Sequence, residues 1–166
     1  MSSSDRRRAL LAFAALGTLA LGGCGFELRR PQKPSFERIA LVGFKPRSPL
    51  AAALRRALEP DVRIVDVPAA AQVILQVTED KREKSVVAST SAAQVREFEI
   101  RVRLHFSAHT PDGRELIPPI ELLREEDLNY SENAALAKQF EEAELYRDME
   151  NDIVIQVMRR LAAIRP

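Results

Sequence analysis

From Glu97 to Ala108, within the run Val95 to His109, the chain alternates between two kinds of side chain. Phe98, Ile100, Val102, Leu104, Phe106 and Ala108 are apolar, while Glu97, Glu99, Arg101, Arg103, His105 and Ser107 are polar. Successive side chains of a strand point to opposite faces, so this period of two predicts a long strand with one buried face and one wet face. Thr110-Pro111-Asp112-Gly113 follows as a turn, in which Gly can take a positive φ. Arg114 to Asp127 then returns as an antiparallel partner. Pro118-Pro119 within it deletes two ladder donors, which places that strand at an edge or a bulge.

A half-wet sheet needs a second layer on its apolar side, and two segments supply it. Ser48 is an N-cap followed by Pro49 at the first helical position. That helix runs to about Glu59, with Leu50, Leu54 and Leu58 on one face and Pro60 ending it. Ser131 is expected to cap a long final helix. Leu136, Phe140, Ala143, Tyr146, Met149, Ile153, Val157, Leu161 and Ile164 recur along it at spacings of three and four, which reads as a core-packing stripe.

Phe36 to Phe44 is rich enough in apolar residues for a buried strand. Val62–Val67 and Val73–Thr78 are shorter apolar runs, the first a strand or an irregular connection. The charged stretch Glu79 to Lys84, with Ser85 to Ser91 after it, reads as the exposed tip of a further hairpin. The expected fold is α+β, a two-layer sandwich with two helices on one face of a mixed, mostly antiparallel sheet of about four strands, in the order β-α-β-β-β-α.

The N-terminus is of another kind. Arg6, Arg7 and Arg8 precede an apolar run from Ala9 to Leu21, and Gly22-Gly23-Cys24 follows. A basic start, a short apolar run and small residues before a cut site predict a cleaved signal peptide over 1–23. The run falls short of the ~20 residues that a membrane-spanning helix needs. Leu21-Gly22-Gly23-Cys24 resembles the lipobox of bacterial lipoproteins, which implies acylation of Cys24, the only cysteine in the chain. Residues 24–35, with Pro31 and Pro34, read as a lipidated tether, and 36–166 as a single domain. Gly25 rather than Asp after the cysteine implies, by the same resemblance, sorting to the outer membrane, on its periplasmic side.

Charge and motifs narrow the function. Residues 24–113 hold 15 Lys/Arg against 11 Asp/Glu, and 114–166 hold 7 against 12. Neither half has the strongly basic profile of a nucleic-acid binder. There is no nucleophile elbow, zinc-protease motif or phosphate-binding loop. His105 and His109, the two histidines, stand about 13 Å apart along one strand, too far to share a metal ion. Glu125-Glu126-Asp127 and Glu141-Glu142 read as solvated charges. The expectation is a non-catalytic protein with no cofactor and no metal.

The residues then match a family. Cys24-Gly25-Phe26-Glu27-Leu28-Arg29 resembles the opening of the mature lipopolysaccharide-assembly lipoproteins of the LptE family. So do Ser48-Pro49-Leu50 with an Arg-bearing helix, the long alternating strand, Ala135-Leu136-Ala137-Lys138, and Met158-Arg159-Arg160-Leu161. The resemblance implies a plug inside the outer-membrane β-barrel LptD, in a one-to-one complex that helps deliver lipopolysaccharide to the outer leaflet. It places Lys138 on a basic position tied to lipopolysaccharide contact. A second such position falls in the hairpin, where Lys81, Arg82 and Lys84 are the nearby basic residues. The competing reading is another outer-membrane binding lipoprotein, such as an auxiliary subunit of a lipid transport system.

Overall fold

In a computed structural model of the chain, residues 33–89, 91 and 94–165 are described. The expected leader 1–23, Cys24, the motif through Arg29 and most of the tether lie outside the described residues.

Strand β1 (Arg38–Val42) buries Ile39 and Ala40 fully. The chain leaves it at Gly43, whose φ is +87°. A Cβ there would stand 2.0 Å from the carbonyl oxygen of Val77, so only glycine lets the two backbones approach. Helix α1 (Pro49–Leu58) begins as expected. Ser48 Oγ accepts from the Ala51 N–H at 2.9 Å, and Leu50, Leu54 and Leu58 are buried. The run from Val62 resolves into a two-residue strand, β2 (Arg63–Ile64), and a 3-10 turn at Pro68–Ala70.

The sheet has five strands rather than about four, in the order β2-β1-β3-β4-β5. Strands β3 (Val73–Ser89), β4 (Val95–His109) and β5 (Glu115–Asn129) pair antiparallel, while β1 runs parallel to both its neighbours. The expected hairpin tip at Glu79–Lys84 is therefore corrected: those residues are the middle of β3 and pair with β4 from His105 to Ile100. Their charge pattern hides strand pairing because β4 supplies the backbone partners whatever the side chains are.

A register shift between Val77 and Glu79 makes Thr78 an extra residue in β3. Such a bulge changes which side chains face the helices. Val77 pairs with buried Phe106, and beyond the bulge it is Asp80, Arg82 and Lys84 that lie opposite buried Leu104, Val102 and Ile100. Strand β5 is an edge, and its register also shifts across Pro118-Pro119, between Ile120 opposite Phe106 and Ile117 opposite Ala108.

Helix α2 (Ala135–Ala163) packs on the same face as α1, forming the second layer. Two expectations about it change. Ser131 does not cap it: a 3-10 turn (Glu132–Ala134) intervenes, and the Ala134 N–H donates to the Ser131 backbone carbonyl at 3.1 Å. The apolar stripe also belongs to the core only from Tyr146 onward. Met149, Ile153, Val157, Leu161 and Ile164 are buried, whereas Leu136 and Phe140 are each 68% exposed. The first turns of α2 extend beyond the apolar part of the sheet, over the stretch where β3 carries charge. The core itself joins Leu75, Leu104, Phe106, Leu54 and Ile153. Each such side chain, fully buried, contributes about 1.5–3 kcal/mol.

Candidate functional site

The four basic residues singled out above do not form one patch. Alternation past the Thr78 bulge sends Arg82 and Lys84 toward α2 and leaves Lys81 on the opposite, open face. Lys81 donates to Glu83 at 2.6 Å, and this bond holds the Glu83 carboxyl below the usual carboxylate range, with Arg103 and Arg101 adding to it. Lys138 lies on α2, half-buried, and donates to Glu141 at 2.7 Å.

Three of the four are linked through α2. Lys84 donates to Glu142 at 2.6 Å, one helical turn from Lys138, and its ammonium stands 4.1 Å from the Phe98 ring centroid. Phe98 in turn meets Tyr130 edge to face at 5.3 Å. Lys84 and Lys138 thus flank the Glu141-Glu142 pair at the far end of the sheet. These glutamates are ion-paired rather than merely solvated, because the strand beneath presents Lys84 to Glu142 and the helix itself presents Lys138 to Glu141.

Below them sits a clasp that the sequence reading missed. Arg82 Nε donates to Glu150 Oε1 at 2.7 Å, and the guanidinium lies 4.9 Å from the Tyr146 ring centroid. Tyr146 Oη donates to the Glu83 carbonyl at 2.8 Å. Burial pushes the Glu150 carboxyl up from its ordinary value, against the pull of Arg82. Burial also raises the Tyr146 phenol, with Glu142 adding to it. The available signal was a glutamate inside the stripe of residues 146, 149, 150 and 153, a position that must bury its side chain and so must find a cation.

The open face of the sheet carries a ladder of ion pairs. Arg101 bridges Glu99 and Glu125, the latter at 2.9 Å, and Arg103 lies 3.9 Å from both Glu83 and Glu121. Half-exposed pairs of this kind contribute about 0–1 kcal/mol each, so the ladder sets the polarity of the face more than its stability. His105 Nδ1 shares a 2.7 Å hydrogen bond with Thr78 Oγ1, while His109 Nδ1 lies 2.9 Å from the Thr110 carbonyl. The two histidines therefore have separate partners. Among the described residues no group of His, Cys, Asp and Glu could hold a metal ion, and no helix is long and apolar enough to cross a membrane.

The architecture is that of a two-layer α+β domain whose outer sheet face is polar and whose distal end is joined by charged contacts. Its sequence matches the LptE family, described as lipopolysaccharide-assembly, over residues 36–161. The chain belongs to the LptE family. Among solved structures it is similar to a lipoprotein B from Nitrosomonas europaea, with a TM-score of 0.69 and 28% identity over 84% of this chain and 91% of that one. It also resembles the rare lipoprotein B from Shewanella oneidensis, with a TM-score of 0.62 and 23% identity over 76% of this chain and 95% of that one. A minor lipoprotein from Acinetobacter baumannii shares the fold at a TM-score of 0.61 and 18% identity, over 77% and 92% of the two chains. No curated protein matches the chain in sequence.

Proposed function

We propose that this chain is a non-catalytic outer-membrane lipoprotein that sits within the LptD β-barrel as a plug and assists insertion of lipopolysaccharide at the outer leaflet. The observation that carries the reading is the family match, which spans the whole folded body from Phe36 to Leu161. The lipoprotein B likeness at 28% identity supports a place in the cell envelope, and the basic start, short apolar run and Leu21-Gly22-Gly23-Cys24 support residues 1–23 as a cleaved leader and Cys24 as the acylated anchor. Two acyl chains or more make such an anchor stable, since each buried CH₂ contributes about 0.8 kcal/mol.

The geometry suits this role. A sheet face of mutually neutralised ion pairs tolerates a water-lined lumen, where an apolar face would not. At the far end, Lys138 and Lys84 offer point charges that can pair with lipid phosphate, with Arg82 behind them and Lys81 on the other side of the sheet. Each must first exchange a carboxylate partner, so contact there is a competition between phosphate and Glu141 or Glu142. Depletion of the chain tests the role: lipopolysaccharide should disappear from the cell surface and accumulate internally. Normal surface lipopolysaccharide after depletion would overturn it.

A further inference from the structure

The sheet has two long edges, and the chain treats them differently. Strand β5 is interrupted near the start of its outer edge by Pro118-Pro119, which removes donors and discourages a further strand there, while Ile120 to Asn129 contains no proline. On the other side, β1 covers β3 only from Val73 to Gln76. Among the described residues no strand pairs with that side of β3 beyond Gln76, and Val77 to Ser89 contains no proline. The ladder donors there are complete.

A second feature flanks this edge. Leu136 and Phe140 are each 68% exposed; Phe140 precedes Ala143 and Arg147 by three and seven residues, and Leu136 precedes them by seven and eleven, all spacings of one helix face. Ala143 and Arg147 line a groove of about 340 Å³ with Pro49, Ala52 and Arg56 of α1. Leu136 and Phe140 are therefore on the side of α2 that faces α1, above the point where α1 begins. Because α1 and β1 lie to the same side of β3, these two apolar side chains are turned toward the side of the sheet on which the bare edge lies. Val86, at 53% exposed, stands on the helix-facing side of β3, opposite Phe98. At the base of this notch Arg56 has no ion-pair partner among the described residues.

We propose that the notch between the bare edge of β3 and the exposed flank of α2 receives an extended segment of the barrel partner, added to the sheet as a strand in line with β1. This rests on the reading that the chain sits within a barrel. Backbone N–H and C=O groups in an unpaired ladder are matched by another extended backbone, which fixes the conformation of the occupant. Its side chains on the helix side should be apolar at alternate positions, to meet Phe140, Leu136 and Val86. A carboxylate at its other end would answer Arg56. An added strand would lie about 4.8 Å from β3, beneath the α2 flank.

The test uses the full lipidated chain co-expressed with its barrel partner. A photo-crosslinking amino acid is placed at Val87 or Phe140, and at Glu121 on the proline-guarded edge as a control. Val87 and Phe140 should crosslink to one segment of the barrel protein, and Glu121 should not reach that segment. Amide exchange over Thr78–Ser89 should slow in the complex relative to the free chain. Replacing Leu136→Asp and Phe140→Asp together should lower the crosslinked yield from Val87 at least tenfold, while the melting temperature of the free chain stays put because both side chains are exposed. An intact complex with no crosslink from Val87 and unchanged exchange would refute the notch and leave the barrel reading standing. Crosslinks to a second copy of this chain would also refute it, since the edge would then be a self-association surface. Failure to isolate any barrel protein would remove both readings together.

Discussion

Replacing Arg82→Met isolates the clasp between β3 and α2. Methionine keeps much of the apolar stem but removes the cation from Glu150, which is only 5% exposed. Breaking a fully buried ion pair by removing one partner costs about 3–5 kcal/mol. The Arg82 side chain is 40% exposed, so solvent already screens the pair and the cost should fall to about 2 kcal/mol. Loss of the guanidinium over Tyr146 adds about 0.5 kcal/mol. A domain of this size shifts by about 3 °C per kcal/mol, so the midpoint should drop by about 8 °C at pH 7. The sign of the pH dependence follows from Glu150. Its folded pKa is raised by burial, so the unfolded chain loses the proton first as pH rises, and the folded state loses stability until pH passes the raised value. Without Arg82 that rise is larger. The variant should therefore lose most at neutral pH and progressively less as pH falls into the ordinary carboxylate range. The double variant Arg82→Met/Glu150→Leu should recover much of the loss by removing the orphaned charge. Thermal unfolding of the detergent-solubilised chain by circular dichroism, at pH 4 and pH 7, reads all of this. An unchanged midpoint at pH 7, or a loss no smaller at pH 4, would refute the reasoning.

Gly43→Ala should destabilise far more than Gly113→Ala, although both glycines have positive φ. The first places a Cβ against the Val77 carbonyl and should cost 3 kcal/mol or more, at least about the tail of single-site effects; the second meets nothing and should cost about 1–2 kcal/mol. Denaturant melts of the two variants compare them directly. Lys138→Glu should weaken lipopolysaccharide binding in a direct binding assay while shifting stability by no more than about 0.5 kcal/mol, the size of a helical i,i+3 pair. Unchanged binding would leave Lys138 as an ordinary surface lysine. Mass spectrometry of the mature chain should find an N-terminal acylated Cys24, and Cys24→Ser should abolish membrane retention; an unmodified thiol would contradict the anchor.

What the sequence reveals depends on how local the determining physics is. Strand β4 was legible because its neighbours require one wet face and one dry face, and the residues alternate accordingly. Helix α1 was legible because Ser48, Pro49 and three leucines report local capping and a single apolar face. The outer half of β3 was not, since its strand state comes from pairing with β4, and Glu79 to Lys84 carry no periodic apolar signal. The Thr78 bulge is likewise set by cross-strand register, and it decides that Arg82 rather than Lys81 meets the helix. Adjacent basic residues that look like one patch in the sequence thus end on opposite faces. Glu150 was hidden for the same reason: its cation lies 68 residues away. The exposure of Leu136 and Phe140 depends on where α1 and β1 stop, which no stripe on α2 can report.

In the proposed role this body occupies a barrel. Native mass spectrometry of the complex extracted in mild detergent, isolated through the full lipidated chain, tests it most directly. One copy of the acylated chain bound to one outer-membrane barrel protein is the predicted mass. The chain alone, or with a transporter complex in place of a barrel, would contradict it.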